Sequence, residues 1–155
     1  MSEAAALPAR PATPEDLPAL LAMMRAFYAE DLLRFDETVT PRAVATLLTD
    51  PACGAMLLLG ETGSAGYLAL TRGFSLEQAG HYALLDELYI APAARGRGFG
   101  AQALALAAAQ ARAWGVDVLR LEVHHHNPRA KALYLRAGFV DSHRDTLVLE
   151  LGGAA

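Results

Sequence analysis

The stretch Arg95-Gly96-Arg97-Gly98-Phe99-Gly100 decides the fold of this chain. It follows an apolar run that ends at Ile90, and it precedes an alanine-rich stretch with helical character. Glycines at alternate positions let the backbone turn with no Cβ in the way, so successive N–H groups can point at one anion. A following helix adds the positive end of its dipole, and the two arginines add charge suited to phosphate. The stretch therefore predicts a strand, an anion-binding turn and a helix, in that order.

Spacing separates the ligands that use such turns. A P-loop needs G-x-x-x-x-G-K followed by Ser or Thr, whereas Gly100 is followed by Ala101 and Gln102. The dinucleotide fingerprint G-x-G-x-x-G fails at its third glycine. Asp117 also falls at the start of the next strand, whereas a ribose-binding carboxylate belongs at the strand's end. ATP and dinucleotides are therefore disfavoured, and coenzyme A is the remaining diphosphate ligand.

Two further segments match the pattern of a known family. Leu85–Pro92 is an apolar strand that carries two acids and leads into the glycine turn, and Asn127–Tyr134 is followed by Arg136–Phe139. The turn matches the Q/R-x-x-G-x-G/A loop of the GNAT (GCN5-related N-acetyltransferase) family, and the later segments match its N-x-x-A-x-x-x-Y and Gly-Phe pattern. The chain therefore resembles a GNAT acetyltransferase. The Leu85–Ile90 run is similar to that of small-amine acetyltransferases such as the diamine type.

The resemblance implies the GNAT fold, an α/β (α+β) domain over residues 1–155 with a mixed, mostly antiparallel sheet of about six or seven strands. Helices would cover both faces of the sheet, and its central strands would splay apart. Hydrophobic patterns along the chain agree with alternating strands and helices. They predict strands at 10–12, 55–59, 65–71, 82–90 and 118–124, helices at 14–29, 40–48, 99–114 and 128–137, and a closing hairpin of 140–144 and 146–150.

The same resemblance implies that the ligand is acetyl-CoA. Where the central strands splay, the fourth strand has unpaired backbone, and an extended pantetheine arm can bind it as a substitute strand. The amides of residues 97–100 would hold the pyrophosphate, and Arg95, Arg129 or Lys131 the remaining phosphate. The implied cofactor-binding residues are Leu88, Tyr89, Ile90, Arg95, Gly96, Arg97, Gly98, Phe99, Gly100, Ala101, Asn127 and Lys131.

Acyl transfer to an amine requires a base, because an alkyl amine with a pKa near ~10 is mostly protonated at neutral pH. Asp86 and Glu87 are the candidates. Strand geometry predicts that only one of them faces the cleft, and we favour Glu87, acting directly or through water. Tyr134 stands where the family commonly places a tyrosine that protonates the leaving thiolate. The resemblance implies direct attack in a ternary complex, with no covalent enzyme intermediate.

The first helix and the loop after it would wall the acceptor pocket, again by resemblance. The residues concerned are Phe27, Tyr28, Glu30 and Asp31, with Asp36 and Glu37 further along. Their acids suit a cationic amine, although a solvated helix end explains them equally well. We expect the acceptor to be a primary amine of a polyamine or an amino-acid-like small molecule. The alternatives are an antibiotic and an amine of a protein.

Bulk composition narrows the class of protein. Hydrophobic residues make up 54% of the chain and the net charge is −4, which argues against disorder and against a nucleic-acid-binding surface. No stretch approaches the ~20 apolar residues of a membrane span, and Met1–Ala12 lacks the basic start of a signal peptide. A single cysteine, Cys53, fits a reducing compartment, and we expect it to be buried. The sequence thus predicts a cytoplasmic protein, with homodimerisation through the last strands left open.

The run His124-His125-His126 does not predict a metal site. Neighbouring strand residues face opposite ways, so three in a row cannot converge on one ion. Two functions other than catalysis also stay open. One is a non-catalytic acyl-CoA-binding or sensor module, and the other is a regulator that binds NAD or ATP in preference to coenzyme A.

Overall fold

The computed structural model describes residues 5–153. The first four residues of Met1–Ala12, the segment compared above with signal peptides, lie outside this range. The chain divides after Glu122 into two compact units, and each is described by itself. The first unit holds β1 (Ala9–Pro11), α1 (Leu17–Glu30), α2 (Val39–Thr49), β2 (Gly54–Leu59), β3 (Gly66–Ser75), β4 (Gly80–Ile90), α3 (Phe99–Ala113) and β5 (Leu119–Leu121). The second unit holds α4 (Pro128–Arg136).

The start of α1 follows from a local signal. Thr13 precedes a proline and two acids, and the Asp16 carboxylate accepts a hydrogen bond from the Thr13 N–H at 2.8 Å. This hydrogen bond satisfies one of the backbone donors that a helix leaves unpaired at its beginning. Residues 14–16 form one 3-10 turn that continues into α1. The predicted helix from residue 14 is therefore observed, with its first turn wound more tightly.

The five strands form one mixed sheet in the order β1-β2-β3-β4-β5. The first four strands run antiparallel to their neighbours, and β5 pairs parallel to β4. One face packs against α1 and α2. The buried residues of that layer are Leu20, Leu21, Met24, Val44, Met56, Leu58, Tyr67, Ala69 and Tyr89.

Helix α3 packs on β3 and β4. Three of its buried positions are alanines at four-residue spacing, which lets the helix approach the sheet closely. They include Ala103, Leu104, Ala107 and Ala111. Along β2, Met56 and Leu58 face α1, so the buried Leu57 and Leu59 point to the opposite face. The predicted mixed sheet with helices on both faces is thereby confirmed.

A β-bulge interrupts β4 at Asp86. Leu85 pairs with Leu70 of β3, whereas Glu87 pairs with Ala69, so Asp86 is the extra residue. Strict alternation would put Glu87 on the same face as Leu85. The extra residue reverses this alternation. Glu87 shares a face with its partner Ala69 and with Tyr89, and both of those residues belong to the layer under α1. The bulge therefore brings Glu87 to the α1 face of the sheet.

The strand prediction was wrong at the end of the chain. Residues 140–153 form no strand, so the described sheet has five strands rather than six or seven. The Asp141 carboxylate accepts from the His143 N–H at 2.8 Å, and His143 has a φ of 54°, a turn that breaks the first predicted strand. The segment Leu147–Leu149 alternates correctly but makes no ladder, and its side chains are exposed. An alternating pattern shows only that a segment can pair, and the pairing partner decides whether it does.

Two smaller expectations can also be compared with the structure. Cys53 was expected to be buried, but it is exposed in the turn after α2. Its thiol lies 3.5 Å from an Asp50 carboxylate oxygen, whose hydrogen bond raises the thiol's pKa. None of the helices in the described part of the chain is long and apolar enough to cross a membrane.

Candidate active site

The glycine turn joins the end of β4 to the start of α3. Gly96 and Gly98 have φ values of 79° and 75°. This is a left-handed backbone conformation, which residues with a Cβ adopt only with strain. A Cβ at either position would meet no atom within 4 Å, so the turn faces open space. Gly98 is the N-cap of α3 and supplies no side-chain cap. The first N–H groups of α3, from Phe99 to Ala101, thus suit an anion, and the predicted cradle fits the pyrophosphate of coenzyme A.

Arg95, predicted to meet a phosphate, already has partners within the chain. Its Nη2 donates to both carboxylate oxygens of Glu30 at 3.0 and 2.8 Å. Its Nε donates to the Ile90 carbonyl at 2.9 Å, and its guanidinium lies 5.9 Å from the centre of the Tyr89 ring. Arg95 therefore ties the end of α1 to the end of β4. Arg97 is exposed and stands in the turn itself.

The parallel pairing between β4 and β5 is short, and the splay of these two strands stays a prediction. The β4–β5 ladder runs only from Ala83–Leu119 to Leu85–Leu121, while β4 continues to pair with β3 as far as Ile90. In the first unit as described, β4 thus has no strand on its β5 side from Asp86 onward. This length of strand includes Leu88, Tyr89 and Ile90, the three residues predicted to hold pantetheine.

Glu87 is held by two tyrosines. Its Oε1 accepts from the Tyr67 hydroxyl at 2.7 Å, and its Oε2 accepts from the Tyr28 hydroxyl. Tyr67 is fully buried on β3, and Tyr28 is half-buried on α1. Burial raises the pKa of Glu87, and the two hydroxyls oppose that rise because they stabilise the charged carboxylate. Both tyrosines have raised pKa values, first from burial and then from Glu87, so their protons stay on oxygen.

Asp86 differs from Glu87 in its surroundings. The residue is exposed, and no hydrogen bond to its carboxylate occurs among residues 5–153. Partial desolvation of the carboxylate is the larger cause that raises the pKa of Asp86. The negative charge of Glu122 is the second cause. The charge of Asp86 also raises the pKa of both Glu87 and Tyr28. Glu87 is the acid held on the α1 side, and the expectation that only one of the two acids faces the cleft stays a prediction.

The residues predicted to wall the acceptor pocket divide into two groups. Phe27 and Tyr28 join an aromatic layer, with ring centres 5.8 Å apart for Phe27–Tyr89 and 5.7 Å apart for Tyr28–Phe35. The acids mostly have structural partners. Glu30 pairs with Arg95, Glu37 pairs with Arg25, and Asp36 accepts from two amides at the start of α2. Asp31 follows the end of α1.

The second unit contains the remaining predicted residues. The Asn127 side chain accepts from the Ala130 N–H at 3.1 Å and so caps α4. Lys131 pairs with Asp141 at 2.6 Å. The Tyr134 ring packs edge-on against Phe139, with ring centres 6.1 Å apart. The rings of His124 and His126 stack on each other, and the described residues contain no group of three or more His, Cys, Asp or Glu suited to a metal.

Sequence reasoning missed Tyr67 and the pairing of Glu30 with Arg95. Tyr67 lies 20 residues before its partner, and only the β3–β4 register brings the two together. Glu30 and Arg95 are 65 residues apart. A tyrosine in an otherwise aliphatic strand is a weak signal for a buried polar partner, because its hydroxyl needs one when buried.

The raised pKa of Glu87 predicts a specific dependence of stability on pH. The folded protein binds the Glu87 proton more tightly than the unfolded chain, whose ordinary value is 4.5. This contribution is fully present below that value and is lost as pH rises through the folded-state value. We expect wild-type protein to lose stability relative to Glu87→Gln as pH rises above 4.5, measured as the free energy of urea unfolding. Glu61→Gln, in the exposed β2–β3 turn, is the matched control; a Glu87→Gln curve parallel to wild type contradicts the assignment.

Comparison with known proteins agrees with this geometry. The model of the acetyltransferase (GNAT) family matches residues 21–139. No curated protein matches the chain. An integron cassette protein from the mobile metagenome of Cole Harbour Salt Marsh is 35% identical, with a TM-score of 0.82 over 94% of this chain and 91% of that one.

Two further structures share the fold. A putative acetyltransferase from Arthrobacter sp. FB24 is 25% identical, with a TM-score of 0.76 and full coverage of both chains, 100% and 100%. An aminoglycoside acetyltransferase from an uncultured soil metagenomic sample, in complex with sisomicin, is 12% identical. Its TM-score is 0.73, over 96% of this chain and 97% of that one. The chain belongs to the GNAT acetyltransferase family and is an acyltransferase.

Proposed function

We propose that this chain transfers an acetyl group from acetyl-CoA to a primary amine of a small molecule, by direct attack in a ternary complex. One observation carries the proposal. The β4–β5 ladder ends at Leu85, and the strand beyond it presents Asp86 and Glu87 before running into the glycine turn. A single strand thus offers an unpaired edge and two carboxylates, and it leads directly to an anion cradle.

The cradle and the β4 edge together suit the two halves of coenzyme A. The amides at residues 97–100 would bind the pyrophosphate, with Arg97 as the exposed cation beside them. The backbone of Leu88 and Ile90 would hold the pantetheine arm as a substitute strand. Lys131 and Arg129 remain candidates for the other phosphate. When bound, acetyl-CoA supplies the acetyl group as a thioester whose carbonyl carbon accepts the amine.

The residues of the chain would handle the protons. Asp86 or Glu87 would take the proton that keeps the amine from attacking, and burial raises the pKa of each carboxyl, which makes its carboxylate a stronger base. A backbone N–H of β4 would stabilise the charge that develops on the acetyl oxygen. Tyr134 would return a proton to the thiolate of coenzyme A, so no covalent enzyme intermediate is needed.

The acceptor class is proposed from the wall of α1. The Tyr28 hydroxyl contacts the Glu87 carboxylate, and Phe27 packs edge-on against Tyr28. Aromatic rings attract cations, so this pair suits a cationic acceptor. One structural neighbour is an aminoglycoside acetyltransferase in complex with sisomicin. We therefore propose a polyamine or an amino-acid-like amine as acceptor, with an amine of a protein as the alternative.

The first prediction for this function concerns the cradle. Gly98 and Gly115 lie at opposite ends of α3, with φ values of 75° and 77° and no atom within 4 Å of an added Cβ. Changing either to alanine costs similar backbone strain, about 1–2 kcal/mol. We expect Gly98→Ala to weaken acetyl-CoA binding about tenfold, because it displaces amides that bind a charged group. Gly115→Ala should bind like wild type in calorimetric titration; equal losses in both variants would contradict a cradle at Gly98.

The transfer itself is tested by release of the coenzyme A thiol. Purified protein, acetyl-CoA and a panel of amines should give thiol release above the background hydrolysis with at least one polyamine or amino-acid-like amine. Binding of acetyl-CoA with no turnover on any small amine or peptide would point to the acyl-CoA-binding module instead. A preference for NAD or ATP over coenzyme A in the same titrations would point to a nucleotide-binding regulator.

We also propose that the chain forms a homodimer through its last residues. The apolar side chains there are exposed to water: Val140, Leu147, Val148, Leu149 and Leu151 are 82–91% exposed. A patch of this kind is typical of a protein interface. Light scattering should give twice the monomer mass for wild type and for Leu76→Glu, an equally exposed site in the β3–β4 turn, but the monomer mass for Leu149→Glu. A monomeric wild-type protein would contradict the dimer.

The proposed compartment is the cytoplasm. The chain has one cysteine, and its thiol is exposed and unpaired in the turn after α2. Exposed free thiols are typical of reducing compartments.

A further inference from the structure

We infer that Asp86 takes the proton from the acceptor amine, and that Tyr67 and Tyr28 are positioning residues that hold Glu87 as a fixed charge beside it. The inference rests on the proposed acetyltransferase function and assigns separate roles to the two acids of β4. It also gives a role to Tyr67, which neither sequence motif includes.

The hydrogen bonds of Glu87 leave it poorly placed to accept a proton from a substrate. Each of its carboxylate oxygens already accepts from a tyrosine hydroxyl, one from α1 and one from β3. The carboxylate is therefore shared by three elements of the fold, and moving it would break both bonds. A carboxylate held in this way keeps its position. A general base, by contrast, must be able to reach the proton of the substrate.

Asp86 has the opposite properties. It is the extra residue of the bulge, it is exposed, and within residues 5–153 its carboxylate accepts no hydrogen bond. It is also the first residue of β4 beyond the end of the β4–β5 ladder, where the edge for the acyl donor begins. The Asp86 carboxylate is therefore free to accept a proton at the point where donor and acceptor meet.

The surroundings of Asp86 make its carboxylate a stronger base. Partial desolvation and then the Glu122 carboxylate, one residue beyond β5, raise its pKa, and Glu87 and Tyr28 lie within electrostatic reach on the α1 side. Tyr67 and Tyr28 hold Glu87 in place within this acidic surround. Its charge also favours an approaching ammonium ion, so the same arrangement attracts the amine and then removes its proton.

The proposed step balances as follows. The Asp86 carboxylate accepts a proton from the ammonium nitrogen, and the freed electron pair of that nitrogen forms a bond to the acetyl carbon. The carbon–sulfur bond breaks and its electron pair leaves on sulfur. The nitrogen then loses its second proton as the thiolate gains one, and Asp86 releases its own proton to water. The products are the acetylated amine and free coenzyme A.

The test uses four single variants of the full-length protein, with spermidine as the acceptor probe. Asp86→Asn should lower kcat at least a hundredfold and remove the acid limb of the kcat/KM profile, as expected for loss of a general base. Glu87→Gln and Tyr67→Phe should keep that limb but shift it, with kcat reduced about tenfold. Tyr82→Phe removes the hydroxyl of a different β4-region tyrosine, one that stacks with Arg120, and should behave like wild type.

A second readout does not depend on turnover. Carbon chemical shifts of labelled carboxylates report the titration of Glu87 directly, and loss of the Tyr67 donor should raise the pKa of Glu87. Tyr82→Phe should leave it unchanged. Acetyl-CoA binding in each variant, measured by calorimetry, shows that the fold and the cradle are intact.

The possible results separate the inference from the function on which it rests. If Glu87→Gln removes the acid limb and Asp86→Asn retains it, the roles are reversed and the inference is wrong. If Tyr67→Phe matches Tyr82→Phe in both readouts, Tyr67 has no positioning role. If wild type binds acetyl-CoA but acetylates none of the amines in the panel, the proposed function fails, and the assignment of Asp86 fails with it.

Discussion

One extra residue in β4 governs the arrangement of this molecule. The bulge at Asp86 reverses the alternation of the strand, so that Leu85 and Glu87 face opposite layers although they are two residues apart. The parallel ladder with β5 ends at the residue before it. The two features coincide at Asp86, where the extra residue also increases the local twist of the strand. The open edge and the carboxylates therefore occur together.

Two polar contacts then fasten α1 to this strand. Glu87 receives the Tyr28 hydroxyl near the bulge, and Arg95 holds Glu30 where β4 passes into the glycine turn. The first contact is partly buried and stabilises the fold more than the second, which is exposed and screened by water. Together they place the aromatic end of α1 along the stretch of β4 proposed to hold the acyl donor. The proposed acceptor wall on α1 and the proposed donor cradle thus adjoin the same strand.

The predictable parts of the structure are those with local causes. The turn at Gly96 and Gly98 and the helix start at Thr13 each follow from neighbouring residues, and both appear as expected. The bulge was not predicted, because Asp86 and Glu87 have the sequence of an ordinary pair on an alternating strand. The closing hairpin failed for a related reason, because Leu147 and its neighbours pair only if a strand edge is offered to them. Tyr67 was missed because the register between two strands, and not its own surroundings in the sequence, brings it to Glu87.

Initial-rate kinetics with both substrates varied test most directly whether donor and acceptor meet on β4. Direct attack requires acetyl-CoA and the amine to be bound together, so double-reciprocal plots at several fixed amine concentrations should give lines that intersect. Mass spectrometry of the protein after exposure to acetyl-CoA alone should show the unmodified chain. Parallel lines, together with an acetylated protein that passes its acetyl group to the amine, would contradict the account.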